Sequence, residues 1–591
     1  MDLFSIFTLC GGLAFFLYGI STMSGGLEKI AGGRLEKILK KMTSNPIKSF
    51  ALGAIITALI QSSSAVTVML VGLVNSGIMN LSQTVSVIIG SNVGTTITAW
   101  ILSLTGIQGD NFWVRLLKPE TFAPILALVG VIMLMGKNNK RKNIGTVLMG
   151  FAILMFGMEV MAGSMAPLAD MPEFRNILVT FSTNPLLGML VGLIVTMIIQ
   201  SSSASIGILQ ALSLTSGISF GVAIPIILGQ NLGSCISAVL SAIGVSTNAK
   251  RVAAVHTIYN IICVGVTLVL FMLITSFIKI PALENNVNPF SIAVFHTVYN
   301  IITALVFFPF FKALEKAAIW AIPEKAETQK KTVLLDERLL VAPSFAITEC
   351  YHQTVKMAEI VQFNYVNSTK MLKSFHKKKA EQIEENETQI DMYEDKLSKF
   401  LLKLSGKSLS TEDSNRISQL LLAIGDYERI GDHTSHILKL ATQLNESESK
   451  LSEKAIEELK VIVNAVTELF DVTFEAYKTD NIRLAQEAEP LEAVIKKIIR
   501  KVKSAHIQRL KDGECTPEVS FMFSDLLADL RRIAAHCGNV AISVIQQKNV
   551  ALGKHEYNHR DKDEDEVYIT KYQTYKSRFD VPKSDMQETT V

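Results

Sequence analysis

From the N-terminus to about Trp320 the chain alternates long uncharged apolar runs with short polar breaks, and beyond that point apolar residues recur at helical spacing among many charges. Runs near 4–24, 83–105, 120–136, 143–162, 220–244, 252–276 and 291–313 have the length that carries a helix across a hydrocarbon core of about 30 Å. They predict seven crossings, because only internally hydrogen-bonded backbone is stable there. Two further pairs of runs, 46–60 with 65–78 and 185–199 with 204–217, reach only ~21 Å per run as helices, too little to cross. Each pair flanks a polar tetrad and predicts a re-entrant hairpin with that tetrad at its tip, a backbone tolerated at membrane depth where it lines a cavity. Between 335 and 548, spacings such as Ile383, Ile390, Leu397, Leu401 and Leu404 predict helical bundles, while 549–591 shows no periodicity and reads as a disordered tail.

The membrane half is written twice. Gln61-Ser62-Ser63-Ser64-Ala65 recurs 139 residues later as Gln200-Ser201-Ser202-Ser203-Ala204. At the same offset Asn45-Pro46 matches Asn184-Pro185, Gly53 matches Gly192, Thr57 matches Thr196, and Gly90 to Thr95 matches Gly229 to Ser234. Gly19 and Met23 match Gly157 and Met161 at offset 138. Repeat one covers about 4–136 and repeat two about 143–276, with an extra span at 291–313. A first unit with three crossings puts the second upside down.

Charge tests that inversion. Residues 1–320 hold 18 Lys+Arg and 10 Asp+Glu, and 321–591 the remaining 39 and 44. The loop after the first span carries Lys29, Arg34, Lys37, Lys40, Lys41 and Lys48, whereas its equivalent at 163–184 carries only Arg175 against Asp170 and Glu173. Cytoplasmic loops gather Lys and Arg, so the two loops lie on opposite sides, as inverted repeats require. The reading is a multi-pass protein of the plasma (inner) membrane, surrounded by lipid, with its N-terminus outside. A linker at 321–334 leads to a cytoplasmic C-terminal domain at 335–548. The fold class is all-α. The six cysteines form no CxxC pair and read as packing residues.

The tips carry the chemistry. A helix starting just after Ser64 or Ser203 turns unpaired N–H groups toward the tip, where an anion is the expected guest. Serine hydroxyls both donate and accept, which suits hydrogen phosphate. Gln61 and Gln200, with Asn92, Thr95, Thr96, Asn231 and Ser234, offer neutral oxygens suited to a hard monovalent cation. Charged residues within the spans are limited to Glu159 and, at span ends, Glu120 and Lys312, which favours sodium over a carboxylate proton relay as the coupling device. A second short repeat, His256-Thr257-Ile258-Tyr259-Asn260 and His296-Thr297-Val298-Tyr299-Asn300, sets His and Asn one turn apart and reads as interhelical hydrogen bonding or a pathway element. No motif places a nucleophile beside a base, so an enzyme is not expected.

The duplicated Gln-Ser-Ser-Ser, each copy followed by a Gly-x-Asn-x-Gly segment, resembles the type II sodium/phosphate cotransporter family over roughly residues 1–320. The resemblance implies sodium-coupled phosphate transport by alternating access, with Gln61, Ser62, Ser63, Ser64, Gln200, Ser201, Ser202 and Ser203 at the substrate site. Ser234-Cys235 departs from Thr95-Thr96, and repeat one shows no counterpart of His256 to Asn260. The alternatives are a phosphate exporter, a carrier of another oxyanion, or a membrane phosphate sensor that binds without transporting.

In the C-terminal half, Asp426 to His433 aligns with Asp529 to His536 at an offset of 103, so this domain too reads as a duplication. It resembles the PhoU family, a pair of three-helix bundles associated with phosphate signalling. There the resemblance implies a regulatory role and a divalent or iron site at Glu387, Asp391, Glu428 and Asp432. In the second copy Arg531 and Ala535 replace two of those ligands. Homo-oligomerisation through either half fits this organisation; nucleic acid is not an expected partner.

Overall fold

The structure is a computed structural model that describes the chain except residues 1–2, 32–44, 108–110, 137, 168–170, 216, 325–333, 408, 448–450, 547–565 and 581–591. Arg34, Lys37, Lys40, Lys41 and Asp170, on which the charge argument partly rests, lie outside the described residues. Contacts divide the chain into two compact units, 1–348 with 407–411, and 349–406 with 412–591. Among the described residues regular structure is helical, with one isolated bridge between Ser219 and Asn286.

The first unit opens with α1 (Leu3–Ala31), followed by the short pair α2 (Pro46–Ile60) and α3 (Ser63–Asn75). Next come α4 (Leu81–Gly94), α5 (Thr96–Ser103), α6 (Phe112–Leu117) and α7 (Pro119–Met135). Repeat two begins at α8 (Asn139–Met165) and continues through α9 (Pro172–Thr183), the short pair α10 (Pro185–Ile199) and α11 (Ser202–Ser213), α12 (Phe220–Gly233) and α13 (Cys235–Ser241). The unit closes with α14 (Thr247–Phe277), α15 (Pro289–Phe307) and α16 (Phe311–Ala321).

Among the described residues six segments are long and apolar enough to cross a membrane: Leu3–Ile30, Leu81–Gly106, Asn139–Met165, Phe220–Ser241, Thr247–Phe277 and Pro289–Ala321. The run expected to cross at 120–136 is the 17-residue α7, about 26 Å long at 1.5 Å per residue. The loop expected at 163–184 contains α9, whose proline at the first turn starts a helix that the polar composition concealed.

Inversion is visible in the backbone. The repeat-equivalent helices α1 and α8 pack antiparallel, with Gly12 against Met161, Gly19 against Leu154 and Gly26 against Val147. A Cβ at Gly19 would overlap the Leu154 backbone, and one at Gly157 the Phe16 backbone. Glycine is required there because the two backbones touch, the small-residue contact that membrane helices use where burial from water gives no drive. The repeated glycines of the tip region serve the same purpose. Gly53, Gly90 and Gly94 seat α2 on α4, and Gly192, Gly229 and Gly233 seat α10 on α12, each against a facing carbonyl or the repeated Thr57 or Thr196.

In the second unit the duplication is equally concrete. One bundle contains α17 (Pro343–Met371), of which residues from Glu349 belong to this unit, with α18 (Lys377–Ser405) and α19 (Thr411–Glu446). The other contains α20 (Glu453–Thr479), the one-turn α21 (Ile482–Ala485), α22 (Ala488–Lys511) and α23 (Pro517–Gln546). Reciprocal pairs join α19 to α23: His433 Nδ1 lies 3.0 Å from Asp529, and His536 Nδ1 lies 2.8 Å from Asp426. The tail departs from the disordered reading, because α24 (Glu566–Arg578) docks on α22 and α20. Lys571 Nζ meets Glu487 at 2.8 Å, Arg578 meets Glu468 at 2.8 Å, and Tyr575 is buried. Ion pairs and one aromatic anchor hold this helix, which apolar periodicity does not reveal.

The α1–α8 contact gives a direct test. Gly19→Val should destabilise the unit by about 2–3 kcal/mol or more through overpacking. Gly25→Val, where a Cβ meets nothing within 4 Å, should leave thermal unfolding in detergent near that of the native chain.

Candidate functional site

Both Gln-Ser-Ser-Ser segments break the chain in the same way. Gln61 (φ 59°) and Gln200 (φ 58°) adopt the left-handed conformation, unusual for a residue with a Cβ, and each N–H donates to the carbonyl of the repeated threonine, Thr57 or Thr196, at 2.7 Å. The next serine is extended and caps the following helix: Ser62 Oγ accepts from Ala65 N, and Ser201 Oγ from Ala204 N, both at 3.2 Å. Helices α3 and α11 therefore begin at Ser63 and Ser202, two residues earlier than expected, and put the last two serines of each tetrad in the first turn. Accepting an N–H leaves the Ser62 and Ser201 hydroxyl hydrogens to donate elsewhere.

The fold brings the two tips together. Ser203 Oγ donates to the Gln61 carbonyl at 3.4 Å and lies 3.4 Å from Thr98 Oγ1, which itself donates to Gln61 Oε1 at 2.8 Å. Gln61, Ser63, Ser64, Ser202 and Ser203 are buried, whereas Gln200 is exposed, so the tips are alike in backbone but not in surroundings. Thr98 was missed in the sequence because it lies outside the tetrads and the Gly-x-Asn-x-Gly segments. The signal was present, since the offset of 139 pairs Thr98 with Ser237 and keeps a hydroxyl at both places.

The residues singled out for a cation sit at a second pair of equivalent places. The long apolar segments pass from α4 to α5 at Thr95 and from α12 to α13 at Ser234, where the backbone keeps helical φ and ψ and each N–H still donates one turn back, to Ser91 O at 3.1 Å and to Gln230 O at 3.3 Å. Asn92, Thr95, Thr96, Asn231 and Ser234 are all buried. Their side-chain hydrogens are largely spent on nearby groups. Thr95 donates to Ser91 O, Thr96 to Val93 O, Asn231 to Ile227 O and Ser234 to Asn231 O, at 2.7–3.1 Å. Asn92 Nδ2 reaches Asn260 Oδ1 at 3.4 Å. Donors committed in this way leave the oxygens as acceptors, the character a cation needs.

The missing counterpart of His256 to Asn260 is supplied from beyond repeat two. Helix α15, carrying His296 to Asn300, packs along α5, with Trp100 Nε1 donating to Thr297 Oγ1 at 2.9 Å. Helix α14 packs in the same sense along α13, where the Cys235 thiol reaches the His256 carbonyl at 3.8 Å. His256 and His296 are fully buried, and neither ring has a hydrogen-bond partner.

In the second unit, Glu387 and Asp391 on α18 and Glu428 and Asp432 on α19 come close enough to perturb one another. Burial, with the negative charges of Asp391, Asp432 and Glu428, pushes the Glu387 carboxyl up to about 7. Burial and Asp432 also raise Glu428. Glu387 Oε2 lies over Gly431 and has no hydrogen-bond partner. Among the described residues no group of three or more His, Cys, Asp or Glu is arranged as metal ligands. Between the ordinary value of 4.5 and about 7, folded Glu387 holds a proton that the unfolded chain has released, so stability falls as pH rises through that window. Thermal unfolding of the purified chain should show this loss between about pH 5 and pH 8, and Glu387→Gln should flatten it.

Comparison with known proteins places these features. The Na+/Pi-cotransporter family matches residues 15–163 and again 153–282, and the PhoU domain matches 354–441 and 459–544, each a tandem pair. The Escherichia coli protein named "Putative inorganic phosphate export protein YjbB" is 22% identical over 93% of this chain and 99% of its own length. The uncharacterized Bacillus subtilis protein YqeW is 28% identical over 53% of this chain and 97% of its own. Sodium-dependent phosphate transport protein 2A of Rattus norvegicus is 33% identical over 16% of this chain and 15% of its own. Among solved structures, PhoU from Pseudomonas aeruginosa covers 34% of this chain and 97% of its own length at 20% identity and a TM-score of 0.33. The N-terminal half thus matches the Na+/Pi-cotransporter family, a phosphate-transport family, as a tandem pair that carries several apolar helices long enough to cross a membrane, and the C-terminal end carries a duplicated PhoU domain.

Proposed function

We propose that the first unit moves inorganic phosphate coupled to sodium by alternating access, with phosphate held where the two tips meet. The observation that carries this reading is the junction Ser203–Thr98–Gln61, which joins two helix starts and their hydroxyls in one place. Two helix N-termini and a set of serine hydroxyls supply N–H and O–H donors for an oxyanion, and a hydroxyl can also accept from P–OH. The tips act as re-entrant hairpins, and sodium is held through the buried oxygens of Asn92, Thr95, Thr96, Asn231 and Ser234, whose side-chain hydrogens are committed to neighbouring carbonyls and amides. The N-terminus faces outside and the PhoU domain the cytoplasm.

A second reading, net export of phosphate, is favoured by the Escherichia coli relative, named as a phosphate export protein, whose match spans 93% of this chain. Both readings use the same site and differ in the gradient that drives it.

The PhoU domain regulates flux. The orphaned Glu387 Oε2 beside Asp391, Glu428 and Asp432 suits a divalent or iron cation, which would remove the mutual repulsion that raises Glu387.

In proteoliposomes, radiolabelled phosphate should accumulate under an inward sodium gradient and not under an equal potassium gradient. Flux in both directions that ignores sodium would exclude coupling. Ser203→Ala should lower flux at least about tenfold, the loss of one well-placed hydrogen bond to a charged ligand, without a matching loss of stability. Ser62→Ala should add a destabilisation of about 1 kcal/mol from the lost helix cap. Normal flux in both variants would move the substrate away from the tips.

A further inference from the structure

The first unit continues past its last apolar helix. Residues 335–341, between α16 and α17, were expected to open the C-terminal domain but pack on the membrane unit. Leu339 is fully buried, and a Cβ built on Gly72 of α3 would lie 3.3 Å from both Arg338 Cβ and Leu339 Cδ2. Asp336, 3% exposed, accepts from Asn75 Nδ2 at the end of α3 at 2.5 Å, and from the backbone N–H and guanidinium of Arg338 at 2.9 Å. Asn75 Oδ1 in turn accepts at 2.8 Å from the backbone N–H of Ser246, which caps α14. Arg338 also donates to the carbonyls of Ser241 at 2.7 Å and Ile243 at 2.9 Å, at the end of α13.

These partners come from both repeats. Helix α3 is the rod that starts at the first tip, about 20 Å away along its axis. Helices α13 and α14 belong to repeat two and carry the arm beyond Ser234 and the His256 motif. A guanidinium at the carbonyl end of a helix is favourably placed, and Asp336 has every partner it needs, so the contact is strong when made. It is also all-or-none, because pulling the segment away leaves Asn75 and the α13 carbonyls unpaired together.

We propose that residues 335–341 form a strap that ties repeat one to repeat two, and that its release and re-seating gate the transport cycle. This rests on the alternating-access reading, in which one repeat moves against the other. The strap runs directly into α17, which enters the second unit at Glu349, so a ligand that shifts the start of the PhoU domain acts on the strap through the covalent chain. The partner recognised by the α3–α13–α14 surface is thus a segment of this same chain.

The test is a reversible lock. In full-length chain with Cys10→Ser and Cys515→Ser, the pair Gly72→Cys and Arg338→Cys has Cβ atoms close to disulfide spacing. The bridge should form on oxidation, lower phosphate flux in proteoliposomes by roughly 5–150-fold, and release it on reduction. Both forms lack Arg338, so only the lock differs between them. Without the bridge, Asn75→Asp should raise flux by setting two carboxylates against each other, and adding Asp336→Asn should restore the native rate by re-forming the hydrogen bond. Equal flux in the bridged and reduced forms, or failure of the bridge to form, would overturn the strap. Maleimide labelling of Gly72→Cys alone, with and without sodium and inorganic phosphate, needs no flux. Faster labelling with both solutes supports release, and unchanged labelling counts against it. A native chain that moves no phosphate yet shows ligand-dependent labelling would defeat the transport reading and keep the strap.

Discussion

The first unit is organised around one constraint: a backbone that leaves its helix among apolar surroundings must have every polar group met locally. At Gln61 and Gln200 the chain turns into the left-handed region, and the freed N–H is met by a threonine carbonyl one turn back. The serine that follows satisfies the start of the next helix. The order Thr-x-x-x-Gln-Ser is therefore a complete local solution, and the remaining serines are left for chemistry. Neither break spends a charge, so the tips are built from neutral donors and acceptors alone.

Much of this was legible from the duplication. The offset of 139 located both tips and the glycines at which α2 meets α4 and α10 meets α12, because each is a residue type that the local geometry requires. The apolar runs gave six of the crossing segments, since length and hydropathy are read directly along the chain. What the pattern could not give depends on partners distant in sequence. Thr98 joins the tips only because α5 passes beside Gln61. Helix α15 serves repeat one although it follows repeat two, so a search for repeats along the chain finds its motif and misses its place. Helix α24 and residues 335–341 share that character, each held by a few long-range ion pairs or hydrogen bonds that leave no periodic trace.

Inversion explains why the duplicated residues are reused with different surroundings. Antiparallel packing of α1 on α8 places equivalent segments face to face, so the tips meet each other rather than lying side by side. The meeting is unequal: Gln61 is buried and holds Thr98, while Gln200 is exposed.

The second unit uses duplication differently. Its two copies reinforce each other where they match, through the reciprocal His433–Asp529 and His536–Asp426 pairs, and they diverge where the carboxylates sit. In the first copy four acidic groups crowd around α18 and α19, and Glu387 bears the consequence as a raised carboxyl with an unpartnered oxygen. In the second, Arg531 and Ala535 stand at the equivalent positions. A charge cluster kept in one copy and dismantled in the other is not needed to hold a bundle together, because the second bundle folds without it. Its presence raises Glu387 above the ordinary carboxylate range and costs stability as pH rises, so the two copies differ in charge where they are alike in backbone.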